Sequence, residues 1–437
     1  MQYISTRGGI ETAVALEDAI MAGTAPDGGL YIPGQLPAAD LDRIPVNAPI
    51  DKVALELLKP FFAGSELTDS LEDICTQAFN FPAPLHTISD SNGKRNEHLS
   101  VLELFHGPTA AFKDFGARFL AATMSKIIQQ RGDSEATIVV ATSGDTGGAV
   151  AAAFHKQPGT RVVVLFPEGR VSPRQQHQLT CWGDNIISLA VKGEFDDCQR
   201  LAKELFANTK ASNKFNLCSA NSINVGRLLP QSVYYAKTSL DYQAAHGKSS
   251  NYIVPTGNLG NAFACAWAKQ RGLPIGELIL ATNANRSIPD YLEKGEWQPR
   301  NSIATLASAM DVGNPSNMER LRNLWGDANE LSNRLRAFSV TDEAIQTRIV
   351  TEFKDYGIAW CPHTATAFEV YRNLPEDERQ QAHWIIAATA HAAKFDEIVE
   401  PLIGTPIAIP EELAHLLEWP ASFDTIEPSI DEVISRL

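Results

Sequence analysis

The stretch ATIVVATSGDTGGAVAAAF (residues 136–154) shows the strand–turn–helix alternation that recurs through much of the chain. It opens with a short, uninterrupted apolar run rich in Val and Ile, which predicts a strand buried on both faces. A cluster of Gly, Ser, Thr and Asp then turns the chain, and an Ala-rich segment suited to a helix follows. Similar strand-like runs recur outward from it: RVVVLF (161–166), IISLAV (186–191), YIVP (252–255), ELILAT (277–282) and WIIAA (384–388). Between them lie helical stripes such as Leu120, Met124, Ile127 and Ile128, or Cys198, Leu201, Ala202, Leu205 and Phe206. Strand and helix alternating in this way predict βαβ units with right-handed crossovers. The expected class is therefore α/β, with parallel sheets flanked by helices.

A chain of 437 residues exceeds what one hydrophobic core usually serves, so more than one domain is expected. The Pro-rich stretch FNFPAPLHTISDSNGKRNEH (79–98) looks like a connector. It sets a mostly helical N-terminal region (1–85) apart from an α/β core (86–400), of which roughly 120–240 would form a smaller domain. From Pro401 onward, EELAHLLEW and DEVISRL predict a helical tail (401–437). A net charge of −15 disfavours nucleic acid, which draws on clustered Lys and Arg. No segment approaches the roughly 18 apolar residues of a membrane span, and the start MQYISTRGGI lacks the pattern of an export signal. Six scattered cysteines without a CxxC pair read as reduced, buried thiols, so a cytoplasmic protein is expected, as monomer or homodimer. No His, Cys or carboxylate spacing suits a metal.

Three segments follow strand-like runs directly, where open parallel sheets place ligands. In VLELFHGPTAAFKDFGARFL (101–120), Lys113 stands where a helix should begin. Burial there would lower its pKa and make the amine a nucleophile, although an exposed structural lysine is an equal reading. In the turn Thr142-Ser143-Gly144-Asp145-Thr146-Gly147, amides and hydroxyls could seat an anion at a helix N-terminus, or simply cap the helix. In YIVPTGNLGNAFACAWA (252–268), two glycines let backbone approach an anion. The absence of a Walker lysine argues against a nucleoside triphosphate, and a plain turn stays open.

Taken together, HGPTAAFKDFG (106–116), TSGDTGGAV (142–150), SANSINVGRLLPQ (219–231), PTGNLGN (255–261), AMDVGNPSNMER (309–320) and TAHAAKF (389–395) resemble threonine synthase, a family of fold type II pyridoxal-phosphate enzymes. The likeness starts at STRGG (5–9) and APDGGLYIP (25–33) and runs nearly end to end. It implies that Lys113 holds pyridoxal phosphate as a Schiff base. It also makes Gly257, Asn258, Leu259, Gly260 and Asn261 the cradle for the cofactor phosphate, and Thr389 the hydroxyl facing the pyridine nitrogen. Thr389 also follows WIIAA and so should emerge at a strand's carboxyl end.

The implied substrate is O-phospho-L-homoserine, which carries an anion at each end. Thr142, Ser143, Asp145 and Thr146 are candidates for its carboxylate, and Ser222, Asn224 and Arg227 for its phosphate, where an arginine fork donates two hydrogen bonds at once. A surface ion pair is the lesser alternative for Arg227. An anionic Asp145 close to the cofactor's phenolic oxygen suggests a proton shared between the two. His106, His363 and His391 fall inside motifs without an assigned role. Against the family's usual pattern, Leu259 replaces an aromatic residue, Ala110 a leucine and Ala392 a proline; none removes a reacting group. Two other readings compete: a related lyase of the threonine or serine dehydratase kind, whose substrate lacks phosphate, and a silent metabolite-binding protein.

Overall fold

The computed structural model describes residues 1–89 and 92–437. Its six apolar runs are all strands, and they divide between two sheets. The larger sheet runs, edge to edge, Leu335–Ser339, Ile275–Thr282, Ser250–Pro255, Trp384–Ala388, Arg95–Glu103 and Leu85–Ser89. All its pairings are parallel except the last. The smaller sheet runs Asp424–Ile426, Ile186–Val191, Thr160–Pro167, Ala136–Ala141 and Leu217–Ser219, parallel throughout. A two-stranded antiparallel ribbon, Tyr3–Ser5 with Tyr31–Pro33, lies in the N-terminal region.

Continuous apolar strands are needed here because both faces of each sheet are covered. In Ala136–Ala141, Ile138 and Val140 join the main core, while Val139 and Ala141 pack with Leu201, Leu205 and Ile426 on the other side. In the larger sheet Ile385 and Ala387 face the main core, whereas Trp384, Ile386 and Ala388 pack with Trp360 and Phe368. The predicted stripes bury as expected: Leu120, Met124, Ile127 and Ile128 on one helix, and Cys198, Leu201, Ala202 and Leu205 on another. All six cysteines are free and buried. No helix among the described residues is long and apolar enough to cross a membrane.

Two sequence expectations need correction. The stretch 79–98 is more than a connector: it holds strand Leu85–Ser89 and the start of Arg95–Glu103, although its residues 90 and 91 lie outside the described set. The C-terminal tail is not purely helical, because Asp424–Ile426 adds an edge strand to the smaller sheet.

Candidate active site

Lys113 is the first residue of helix Lys113–Arg131, reached through the loop that leaves strand Arg95–Glu103. Several hydrogen bonds hold that loop. The buried Asp114 carboxylate accepts hydrogen bonds from the Thr109 amide (2.9 Å) and hydroxyl (2.6 Å), and the Phe112 amide donates to the Thr389 carbonyl (2.8 Å). Thr389 follows the neighbouring parallel strand Trp384–Ala388, so sheet pairing brings Lys113 and Thr389 side by side. The next strand, Ser250–Pro255, delivers the loop 256–261 to the same edge.

That loop is shaped to approach a ligand closely. A Cβ on Gly257 would lie 2.6 Å from the Met310 Cα, so no larger residue fits. Leu259 holds a left-handed backbone (φ 64°), unusual for a side chain that is itself buried. The amides of Gly257, Asn258 and Leu259 have no acceptor among the described residues, and helix Gly260–Gln270 begins directly after them. Asn261 accepts from Tyr234 (2.6 Å) and Tyr235 (2.8 Å), leaving its buried Nδ2 without a partner. Unspent amides at a helix N-terminus suit a phosphate. Asn258 ties the loop outward, donating to the Ser222 hydroxyl (2.8 Å) and accepting from the Ser316 amide (2.6 Å).

The Lys113 amine has no ion-pair partner among the described residues. Burial pulls its pKa down to about 8, aided by Arg227 and Lys394 and opposed by Asp145. Lys113 itself is half-buried rather than exposed. Thr389 is buried, and its hydroxyl has no partner among the described residues.

The turn after strand Ala136–Ala141 divides its side chains between two tasks. The Thr142 hydroxyl is spent inside the turn, donating to the Gly144 carbonyl and accepting from the Gly144 and Gly147 amides at 3.0–3.1 Å. Ser143 and Thr146 are half-buried with free hydroxyls. Asp145 is already occupied: its Oδ1 accepts from Gln175 (2.9 Å) and pairs with the Lys394 ammonium at 3.0 Å. Burial alone would raise the Asp145 pKa, but Lys394 and then Lys113 hold it well below the usual carboxylate range. Asp145 is thus an anion with its own counterion, which removes the reason for a proton shared with the cofactor. Sequence reading passed over Lys394, because Asp396 and Glu397 follow it closely and are nearer in the chain than Asp145.

Within NSINVGR the outcomes differ. Asn224 is fully buried and committed: it caps helix Val225–Leu228 through the Gly226 amide (2.9 Å) and donates to the carbonyls of Ile20 (2.8 Å) and Ser219 (3.0 Å). With its capacity spent, a substrate role for Asn224 is replaced by a structural one. Ser222 is joined to Asn258. Arg227 is no surface ion pair. It is buried, donates once to the Ala220 carbonyl, has an orphan Nε, and has its pKa pulled to about 10 by burial. The neutral His363 accepts from the Ala309 amide (3.0 Å), while His391 caps a short turn at Ala393. No group of His, Cys, Asp or Glu among the described residues could hold a metal.

A half-buried amine, a loop of unspent amides and a hydroxyl on adjacent strand ends fit pyridoxal phosphate, and the relatives agree. The chain matches the family models of pyridoxal-phosphate dependent enzymes over residues 77–388, the threonine synthase N terminus over 2–79 and the threonine synthase C-terminal region over 364–435. Threonine synthase from Escherichia coli (strain K12) is 37% identical over 93% of this chain and 92% of its own. The structure of pyridoxal-phosphate-bound threonine synthase from Brucella melitensis superposes with a TM-score of 0.90 at 34% identity, covering 100% of this chain and 98% of that one. Yeast threonine synthase gives the same TM-score at 28% identity, over 100% of this chain and 97% of its own. The chain belongs to the threonine synthase family, and its cofactor is pyridoxal phosphate.

Proposed function

We propose that the protein converts O-phospho-L-homoserine and water to L-threonine and phosphate, acting in the cytoplasm as a monomer or homodimer. The observation that supports this reading is a half-buried lysine without an ion-pair partner among the described residues, beside a buried cation, Arg227, that makes no salt bridge among them, keeps an orphan Nε and feels Asp114 only at a distance. A dehydratase substrate has no phosphate and would leave the orphan Nε of Arg227 without an acceptor.

When bound, pyridoxal phosphate supplies an electron sink for the substrate's Cα. We assign its phosphate to the amides of Gly257–Asn261, its ring nitrogen to the neutral Thr389 hydroxyl, and its carbonyl carbon to Lys113. An amine with a pKa near 8 is about a tenth unprotonated at pH 7, against less than one part in a thousand for an ordinary lysine. Lys113 is therefore suited to take the proton from Cα. Ser143 and Thr146 offer free hydroxyls to the substrate carboxylate, and Arg227, with Ser222 beside it, offers charge-assisted donors to the phosphate that leaves Cγ before water adds at Cβ.

The test is to supply O-phosphohomoserine and follow threonine and free phosphate together, with equal release expected. Lys113→Ala should abolish both. Arg227→Met should raise KM at least about tenfold, the loss of one charged hydrogen bond. A Lys113→Ala protein that still released threonine at the normal rate would overturn the assignment.

A further inference from the structure

The Asp145–Lys394 pair is costly. Both side chains are almost wholly buried, and a buried ion pair is seldom more stable than apolar residues of the same size. Lys394 nevertheless has every donor in use: Asp145 Oδ1 at 3.0 Å, the Thr109 carbonyl at 2.6 Å and Gln178 Oε1 at 2.8 Å. It thereby joins the segment after strand Trp384–Ala388 to the loop preceding Lys113 and to helices Asp145–Phe154 and Pro173–Thr180. Lys113, on the same cleft, has no ion-pair partner among the described residues.

We infer that Lys394 is a positioning residue that occupies Asp145, so that the carboxylate facing Lys113 is committed to another ammonium and the Lys113 amine is left free to react. The inference rests on reading Lys113 as the cofactor lysine. The charged and titratable groups facing Lys113 are Asp145, Arg227, Lys394 and His363; those facing Lys394 are Asp145, Asp114, His363 and His391. Among the described residues, Asp145 is the carboxylate that acts on Lys113. Without Lys394, Asp145 would have Lys113 as the cation to turn to, and the resulting pair would keep the amine protonated. Lys394 also repels a proton on Lys113 directly, so both effects have the same sign.

This makes opposite predictions for two single variants. In the full-length chain freed of cofactor, trace acetylation of Lys113 across a pH series, read by mass spectrometry, gives its titration. Lys394→Met should move the midpoint up by at least about one pH unit, a tenfold loss of free amine at neutral pH. Asp145→Asn should move it down, because Lys394 then lacks a counterion. The double variant should fall below Lys394→Met. A cleft that had merely loosened would rehydrate Lys113 and raise the midpoint in both singles, so an upward shift or no shift in Asp145→Asn overturns the inference. An unchanged midpoint in Lys394→Met does the same, and if that variant does not fold, Asp145→Asn alone decides. Separately, borohydride reduction of the wild-type chain with added pyridoxal phosphate should tag Lys113. A tag on another lysine would overturn the Lys113 reading while leaving the charge measurement intact.

Discussion

Asn224 and Arg227 stand three residues apart in one motif and have unlike roles. Asn224 spends its amide on two carbonyls and a helix cap, whereas Arg227 keeps an orphan Nε beside the helix that begins at Lys113. Truncating Asn224 removes a cap and strands two buried carbonyls, so Asn224→Ala should lose about 2 to 3 kcal/mol of stability. Its KM for O-phosphohomoserine should stay within about twofold of wild type, against the tenfold rise expected for Arg227→Met. Urea denaturation and steady-state kinetics on both variants check the contrast, and a large KM effect without destabilisation in Asn224→Ala would return it to the substrate site. Sequence reading grouped these residues because residue type tells what a side chain can bond, not which of its donors folding has already spent. Asp145 misled in the same way, since its counterion stands 249 positions further along the chain.

At the scale of elements, what was legible tracked burial. The six apolar runs were readable because strands covered on both faces must be apolar at every position. Leu85–Ser89, a sheet edge with exposed His86 and Thr87, lacks that signature, and the three-residue strand Asp424–Ile426 is too short to show any period. The loop 255–261 was legible for another reason, because glycine is the residue that permits close backbone approach. Its particular constraint, Gly257 against the Met310 backbone, belongs to a turn some fifty residues away and could not be read locally. Since backbone cannot swing aside as a side chain can, Gly257→Ala should displace the loop at a cost of about 1 to 3 kcal/mol. That cost should appear as roughly ten- to a hundredfold weaker retention of pyridoxal phosphate, measured by dilution and absorbance, with the unfolding midpoint of the cofactor-free chain moved far less. Equal retention in wild type and variant would mean that the loop does not carry the phosphate.

For the molecule as a whole, the fold class followed from the alternation of strand and helix, but the meeting of two sheets' carboxyl ends around Lys113 is a long-range outcome with electrostatic consequences for the entire chain. His363, on helix Pro362–Asn373, is buried against Phe395 and has its pKa pulled down to about 4 by burial. Its Nε2 accepts from the Ala309 amide, so the folded state keeps the ring neutral where an unfolded chain would protonate it near 6.5. Between these two values the unfolded state binds the extra proton, and stability falls as pH falls. The contribution is fully present above about pH 6.5 and is lost progressively down to about pH 4, at roughly 1.4 kcal/mol per pH unit. His383 and His391 are also shifted down by burial and act in the same direction, so the wild-type slope alone does not isolate His363. In His363→Gln those two remain, and the side-chain carbonyl can still accept from Ala309. Urea midpoints at pH 7, 6 and 5 should therefore fall less steeply in the variant, and its deficit at pH 7 should narrow or reverse by pH 5. Parallel losses in the two proteins would show that His363 is not the group that folding holds neutral. Asp145 titrates far lower than this window, so the Asp145–Lys394 pair should persist through the range in which His363 acts.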